Sequence, residues 1–144
     1  MNIIELVKSI VEAFPKISEI CNAVHIDFTD DTPTNYGLSS TGDSKLKEDI
    51  LGGQTRQHTF TLFAIYQSLN DYDRMSNSNV LLELAYYLES KAQRQVITSE
   101  VDGETITGTL TKLTCANGML FQIPNQINDG WMYQIQITAE YKVI

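Results

Sequence analysis

Trp131-Met-Tyr-Gln-Ile-Gln-Ile-Thr-Ala-Glu-Tyr-Lys-Val143 decides the fold class. Trp131, Tyr133, Ile135, Ile137, Ala139, Tyr141 and Val143 alternate with Met132, Gln134, Gln136, Thr138, Glu140 and Lys142. A period of two puts the first set on one face of a strand and the second on the other. An apolar face backed by a polar one predicts an antiparallel sheet covered by helices on one side.

A second long strand is predicted over Gln54–Gln67, with Phe60, Leu62, Ala64 and Tyr66 on one face. Thr59, Thr61, Phe63 and Ile65 form the other, so its second half is expected to be covered on both sides. Between the two strands, Tyr72–Ala92 reads as a helix with Met75, Leu81, Leu82, Leu84, Ala85 and Leu88 on its apolar face and Asn70 or Asp71 as cap. Thr107–Thr114 and Met119–Ile123 are strand-like. Asn117-Gly118 gives a type I′ turn signal between them, and Asp102-Gly103 a second hairpin turn.

Upstream, Ile3, Leu6, Val7, Ile10, Val11 and Phe14 recur at helical spacing until Pro15 ends the helix. Val24, Ile26 and Phe28 alternate with Ala23, His25 and Asp27 as a short strand. Thr29–Leu51 is polar: a loop to Thr34, a strand at Tyr36 and Leu38, a turn at Thr41-Gly42-Asp43-Ser44, and a return strand toward Gly52-Gly53. This stretch reads as a projecting hairpin, either solvated or used for docking. Helix, strands, helix, strands is the order of an α+β domain, a mainly antiparallel sheet packed by two helices. The 144 residues make one domain, 1–144.

Composition narrows the function. Ten Lys and Arg against eighteen Asp and Glu give a formal charge of −8, the wrong sign for gripping nucleic acid but suitable for a wall past which DNA slides. No apolar run approaches the ~20 residues of a membrane span, and Met1–Leu6 lacks the basic start of a signal peptide, so a cytoplasmic origin is expected. Cys21 and Cys115 form no metal or redox pattern and read as small buried apolar residues.

Chemistry is hard to place. His25 and His58 each sit on a strand without ligand spacing around them, as half-exposed surface residues. His25 and Asp27 share a strand face, the only hint of acid–base work, yet no nucleophile signature accompanies them. Asp27, Asp30 and Asp31 do not match a calcium loop, and Gly52-Gly53 does not open a phosphate-binding helix. No catalytic, metal or cofactor site is assigned. Of Tyr86 and Tyr87, about 100° apart on the helix, Tyr87 is expected to be the partly exposed one.

Gly52-Gly-Gln-Thr-Arg-Gln-His-Thr-Phe60, Asp73-Arg74-Met75 with Asn77, Leu82 through Glu89, Asn117-Gly-Met-Leu-Phe121 and Tyr133-Gln-Ile-Gln-Ile137 resemble, in order and spacing, a phage minor capsid protein family. The resemblance spans Tyr36 to Tyr141. Tyr87 stands where the family has tryptophan, and Arg94–Glu104 has no equivalent in it. Some relatives carry a chloramphenicol-resistance label, but the paired-His motif of acetyltransferases is missing, since Val24 precedes His25. The resemblance implies a non-enzymatic tail terminator in the virion neck, a ring subunit, hexameric by implication, that caps the tail tube and joins it to the head or collar. Its partners would be copies of itself, the tube protein, sheath and head–tail connector proteins, with DNA only passing through the lumen. A head–tail stopper or adaptor is the alternative, and a small hydrolase-like enzyme using His25 and Asp27 the outlying one. Interface candidates are Asp30, Asp31, Tyr36, Lys45, Lys47, Arg56, Arg74 and Tyr87.

Overall fold

The computed structural model describes residues 1–15, 25–26, 35–66, 71–90, 95–122 and 131–143. In chain order they form α1 (Ile3–Glu12), β1 (His25–Ile26), β2 (Asn35–Glu48), β3 (Gln54–Tyr66), α2 (Asp71–Ser90), β4 (Gln95–Val101), β5 (Glu104–Gln122) and β6 (Trp131–Val143). The sheet order is β1-β2-β3-β6-β5-β4. Only the two-residue β1 is parallel to its neighbour; the other five strands form one antiparallel curled sheet.

β6 sits at the centre because it alone alternates without a break. Tyr133, Ile135, Ile137, Ala139 and Tyr141 are buried in sequence, and each meets a partner on β3. Phe60, Leu62 and Ala64 of β3 and Tyr36 and Leu38 of β2 extend the same apolar face. Ile65, on the opposite face of β3, is buried too, and Phe63 partly so, as its second half predicted.

β5 needs a correction to its pattern to join this face. Leu110 and Leu113 are both buried although three residues apart. A bulge between Leu110 and Lys112 shifts the alternation by one, and the Thr111 hydroxyl donates to the Glu140 carbonyl at 3.0 Å beside it. Gly108 is required by close approach: a Cβ there would lie 2.7 Å from the Lys142 carbonyl oxygen. Gly108→Ala therefore pushes β5 off β6. We expect a loss of about 1–3 kcal/mol, read as a lower urea midpoint.

Two predicted turns are absent. Asn117-Gly118 lies inside continuous β5, where the ladder to β6 skips from Ala116 to Met119. Pairing with β6 on both sides outweighs the local turn preference, and the pair becomes a bulge. Gly118 packs there beneath α2: a Cβ built on it would lie 3.6 Å from Ile135 and 3.8 Å from Leu81. The Thr41–Ser44 turn is likewise a bulge in β2, which runs unbroken from Asn35 to Glu48. Asp102-Gly103 does turn the chain, with φ of 51° and 79°, the left-handed pair of a type I′ hairpin. It joins β5 to β4, a strand absent from the sequence reading.

The helices close the apolar face. α1 begins with a capping box: Asn2 Oδ1 accepts from the Glu5 amide at 2.9 Å, and Glu5 Oε2 from the Asn2 amide at 3.1 Å. Its buried stripe is Ile3, Leu6, Val7, Ile10 and Val11. α2 buries Leu81, Leu84 and Leu88 at i, i+3 and i+7 and packs mainly on β5. Leu82, expected on that face, is half exposed. The Tyr86/Tyr87 expectation is reversed. Tyr86 is 64% exposed, whereas the partly buried Tyr87 turns inward onto Phe14, just past the end of α1, ring centroids 5.1 Å apart. No helix among the described residues is long and apolar enough to cross a membrane.

Candidate functional site

The β2–β3 hairpin carries the distinctive chemistry. Its tip is the Asp49–Gly53 turn. Asp49 Oδ1 accepts from the Leu51 amide at 2.9 Å and the Gly53 amide at 2.8 Å, and the Asp49 amide donates to the Gly53 carbonyl at 2.8 Å. Gly52 takes the left-handed conformation the turn demands, φ 87°. This frame holds Ile50 and Leu51 outward, 103% and 96% exposed. Presenting two adjacent branched apolar side chains to water has a hydrophobic cost that a docking partner would relieve.

At the hairpin's root lies a polar cluster. The bulge at Ser40–Gly42 shifts the register by one, so Asp43 falls opposite His58 on the core face; unshifted, it would face away. Gly42, with φ 148°, accommodates the bulge. Asp43 Oδ2 accepts from His58 Nδ1 at 2.9 Å and from the Tyr141 hydroxyl at 2.5 Å. Asp43 Oδ1 accepts from Arg56 Nε at 2.8 Å and pairs with Nη2 at 2.8 Å. With Nδ1 donating to the carboxylate, a neutral His58 ring has Nε2 left to accept from Ser40 Oγ, 2.5 Å away. The His58 ring lies 4.6 Å from Phe60, where the apolar core ends.

Burial raises the Asp43 pKa, but hydrogen bonds from Tyr141, His58 and Arg56 and the Arg56 charge outweigh it and hold the carboxyl below its usual range. Burial and the Asp43 hydrogen bond push the Tyr141 phenol up to about 12. The contact order, serine to imidazole to carboxylate, is that of an acyl-transfer triad. The electrostatics are not. The carboxylate charge that would support an imidazolium during proton transfer is already balanced by Arg56. The cluster works as a clamp: three strands, β2, β3 and β6, are tied through one carboxylate at the base of the projecting tip.

Sequence reasoning missed this cluster. His58 was expected to be a half-exposed surface residue, yet it is 7% exposed and bonded on both ring nitrogens. The signal that could have found it, Asp43 fifteen residues upstream, is hidden by the bulge. His25 lies in β1, its side chain outside the described residues, as is all of Asp27, so that pair is not described. No group of three or more His, Cys, Asp or Glu among the described residues could hold a metal.

The interface candidates scatter. Lys45 and Lys47 are exposed on β2, Lys45 in contact with Glu48 at 2.9 Å. Arg56 is engaged by Asp43. Tyr36 is fully buried, a correction: it serves the core and offers no surface. Tyr87 is partly buried against Phe14, and Tyr86 is the more exposed of the two. Arg74 lies in α2 with its side chain outside the described residues, and Asp30, Asp31 and Cys21 lie outside them altogether. Cys115 is partly buried, and burial, then the Glu89 charge, raise its thiol to about 12. With so little thiolate at neutral pH, Cys115 should stay unlabelled by a thiol reagent in the folded chain and react on unfolding. Rapid labelling of native Cys115 would contradict this.

No family model matches the sequence, and no curated protein matches it. Among solved structures, a chain from the virion of a native gene transfer agent particle aligns over 95% of this chain and 90% of its own length. The TM-score is 0.53 and the identity 12%, a likeness of fold. The α+β fold described above is thus shared, nearly end to end, with a component of a phage-like particle.

Proposed function

We propose that this protein is a non-enzymatic structural subunit of a phage-like particle, a tail terminator that forms a ring, caps the tail tube and joins it to the head or collar. The observation that carries the reading is the near full-length fold match to a virion component. Three features support it. The −8 charge suits a conduit that must not retain DNA. The triad-like cluster is compensated as a clamp rather than as a base. The hairpin projects two rigidly held apolar residues, as a plug for a neighbouring ring does.

The test targets the tip rather than the strand behind it. Deleting residues 41–47 would remove Asp43 and dismantle the clamp, confusing folding with docking. Ile50→Ser with Leu51→Ser touches only exposed side chains and should change stability by less than about 0.5 kcal/mol. The expected result is normal folding with loss of binding to isolated tail tubes in co-sedimentation. Unchanged binding would show that the tip does not dock.

A further inference from the structure

The β4–β5 hairpin forms a second projection. Gln54, Val143, Gly108 and Ile97 share one rung of the sheet, across β3, β6, β5 and β4. Beyond that rung β4 and β5 run on as a two-stranded ribbon, from the Thr98/Thr107 pair to the Val101/Glu104 pair, about 13 Å. Every residue from Ser99 to Thr107 is exposed. Two strands with water on both faces are marginally stable by themselves. This pair is held at its tip by the Asp102-Gly103 turn and at its base by Met1, whose carbonyl accepts from the Thr98 amide at 2.8 Å.

The ribbon has a consistent surface chemistry. Val101 and Ile106, 55% and 38% exposed, are diagonal neighbours on the face that Ile97 shares. Glu104 stands beside them, Glu100 on the opposite face and Asp102 at the turn, all three exposed. No Lys or Arg occurs from Gln95 to Thr111, so these carboxylates have no offsetting side chain on their own element. Flanking charges do not reverse the sign. The Met1 ammonium lies on Thr98 Oγ1 at 3.2 Å, and Glu5 lines the same cleft. Lys112 faces Glu140 at 4.0 Å. Lys142 is opposite Thr109, about 13 Å along the strands from the Glu100/Thr105 pair.

We propose that the ribbon is a docking element for a basic partner surface, with Val101 and Ile106 entering an apolar recess rimmed by Lys or Arg. The inference rests on the tail-tube reading above and names the chemistry of that partner. β3 and β5 both pair with β6, so the two hairpins stand about 10 Å apart and point the same way. A neighbour seated on the Ile50–Leu51 tip therefore meets the ribbon as well. A second copy, at −8, has the wrong net sign for this surface. Complementary charge steers and orients such a contact, while the apolar pair supplies its desolvated centre.

The experiment uses the full chain and isolated tail tubes, co-sedimented at low and high salt. Glu100→Gln, Asp102→Asn and Glu104→Gln together remove the charge at constant side-chain size, and asparagine suits the left-handed turn position. This neutral variant should keep the wild-type urea midpoint, bind tubes about tenfold more weakly at low salt, and lose most of the salt dependence that wild type shows. Val101→Ser with Ile106→Ser should weaken binding at both salt concentrations. Equal or tighter binding by the neutral variant, or wild-type binding that does not weaken with salt, overturns the basic partner. Unchanged binding by the serine variant overturns the apolar contact. No tube binding by wild type overturns the tail-tube reading, and this inference with it.

Discussion

Ile137→Ala should lower the unfolding free energy by about 3 kcal/mol. Ile137 is fully buried at the middle of β6, with Phe60 opposite it on β3 and Cys115 on β5. Alanine keeps the backbone ladder and removes three carbons from the layer shared by the sheet and α2. The cost combines lost transfer free energy with the cavity left behind, since strands paired on both sides cannot collapse inward. Urea unfolding should show a lower midpoint at an unchanged slope. Ile50→Ala is the matched control: the same residue type, 103% exposed on the hairpin tip, should change stability by less than about 0.5 kcal/mol. Equal effects at the two positions would mean that β6 is not the centre of the core.

Asp43→Ala should cost about 2–4 kcal/mol, a large effect for a single surface-reaching carboxylate. The loss is not of one bond. Arg56 loses its ion pair, Tyr141 its acceptor, and His58, 7% exposed, keeps a donor with no partner in place. Asp43→Asn retains an acceptor but not the charge and should fall between wild type and alanine. The pH dependence gives a second readout. Asp43 has a depressed pKa in the folded chain, so its contribution is fully present above the unfolded value, about 4, and is lost as pH falls through the folded one. Wild type should lose stability in that acid window more steeply than Asp43→Ala. If the variant matches wild type in both midpoint and acid slope, the clamp contributes nothing.

The fold was legible wherever side-chain period matched strand pairing. Tyr133 to Tyr141 alternate without interruption, and the strand stands where the pattern put it. The α1 stripe and the Asp102-Gly103 hairpin were equally readable, because capping and turn chemistry act over a few residues. The failed turn predictions both pass through bulges. Asn117-Gly118 and Thr41–Ser44 have turn composition, yet long strands paired on the far side of each and absorbed the extra residues. A bulge changes which face a residue occupies, and no local signal announces it. That is why Asp43 and His58 could not be joined from sequence. The Tyr86/Tyr87 inversion has another cause: period fixes the angle between neighbours, while the position of α1, through Phe14, fixes which of them turns inward.

The proposed docking surface is legible only in part. Lys45 and Lys47 could be picked out as exposed charges on a polar stretch. Ile50 and Leu51 could not, because an Ile-Leu pair reads as core until the Asp49 turn is seen holding it in solvent.

Imaging of purified particles with this chain tagged is the most direct test of its role. The account predicts density at one axial level, at the junction of tail tube and head or collar, as a closed ring of identical subunits with the Ile50–Leu51 tips against the adjacent ring. A chain missing from particles, or spread along the tube instead of confined to its end, would contradict it.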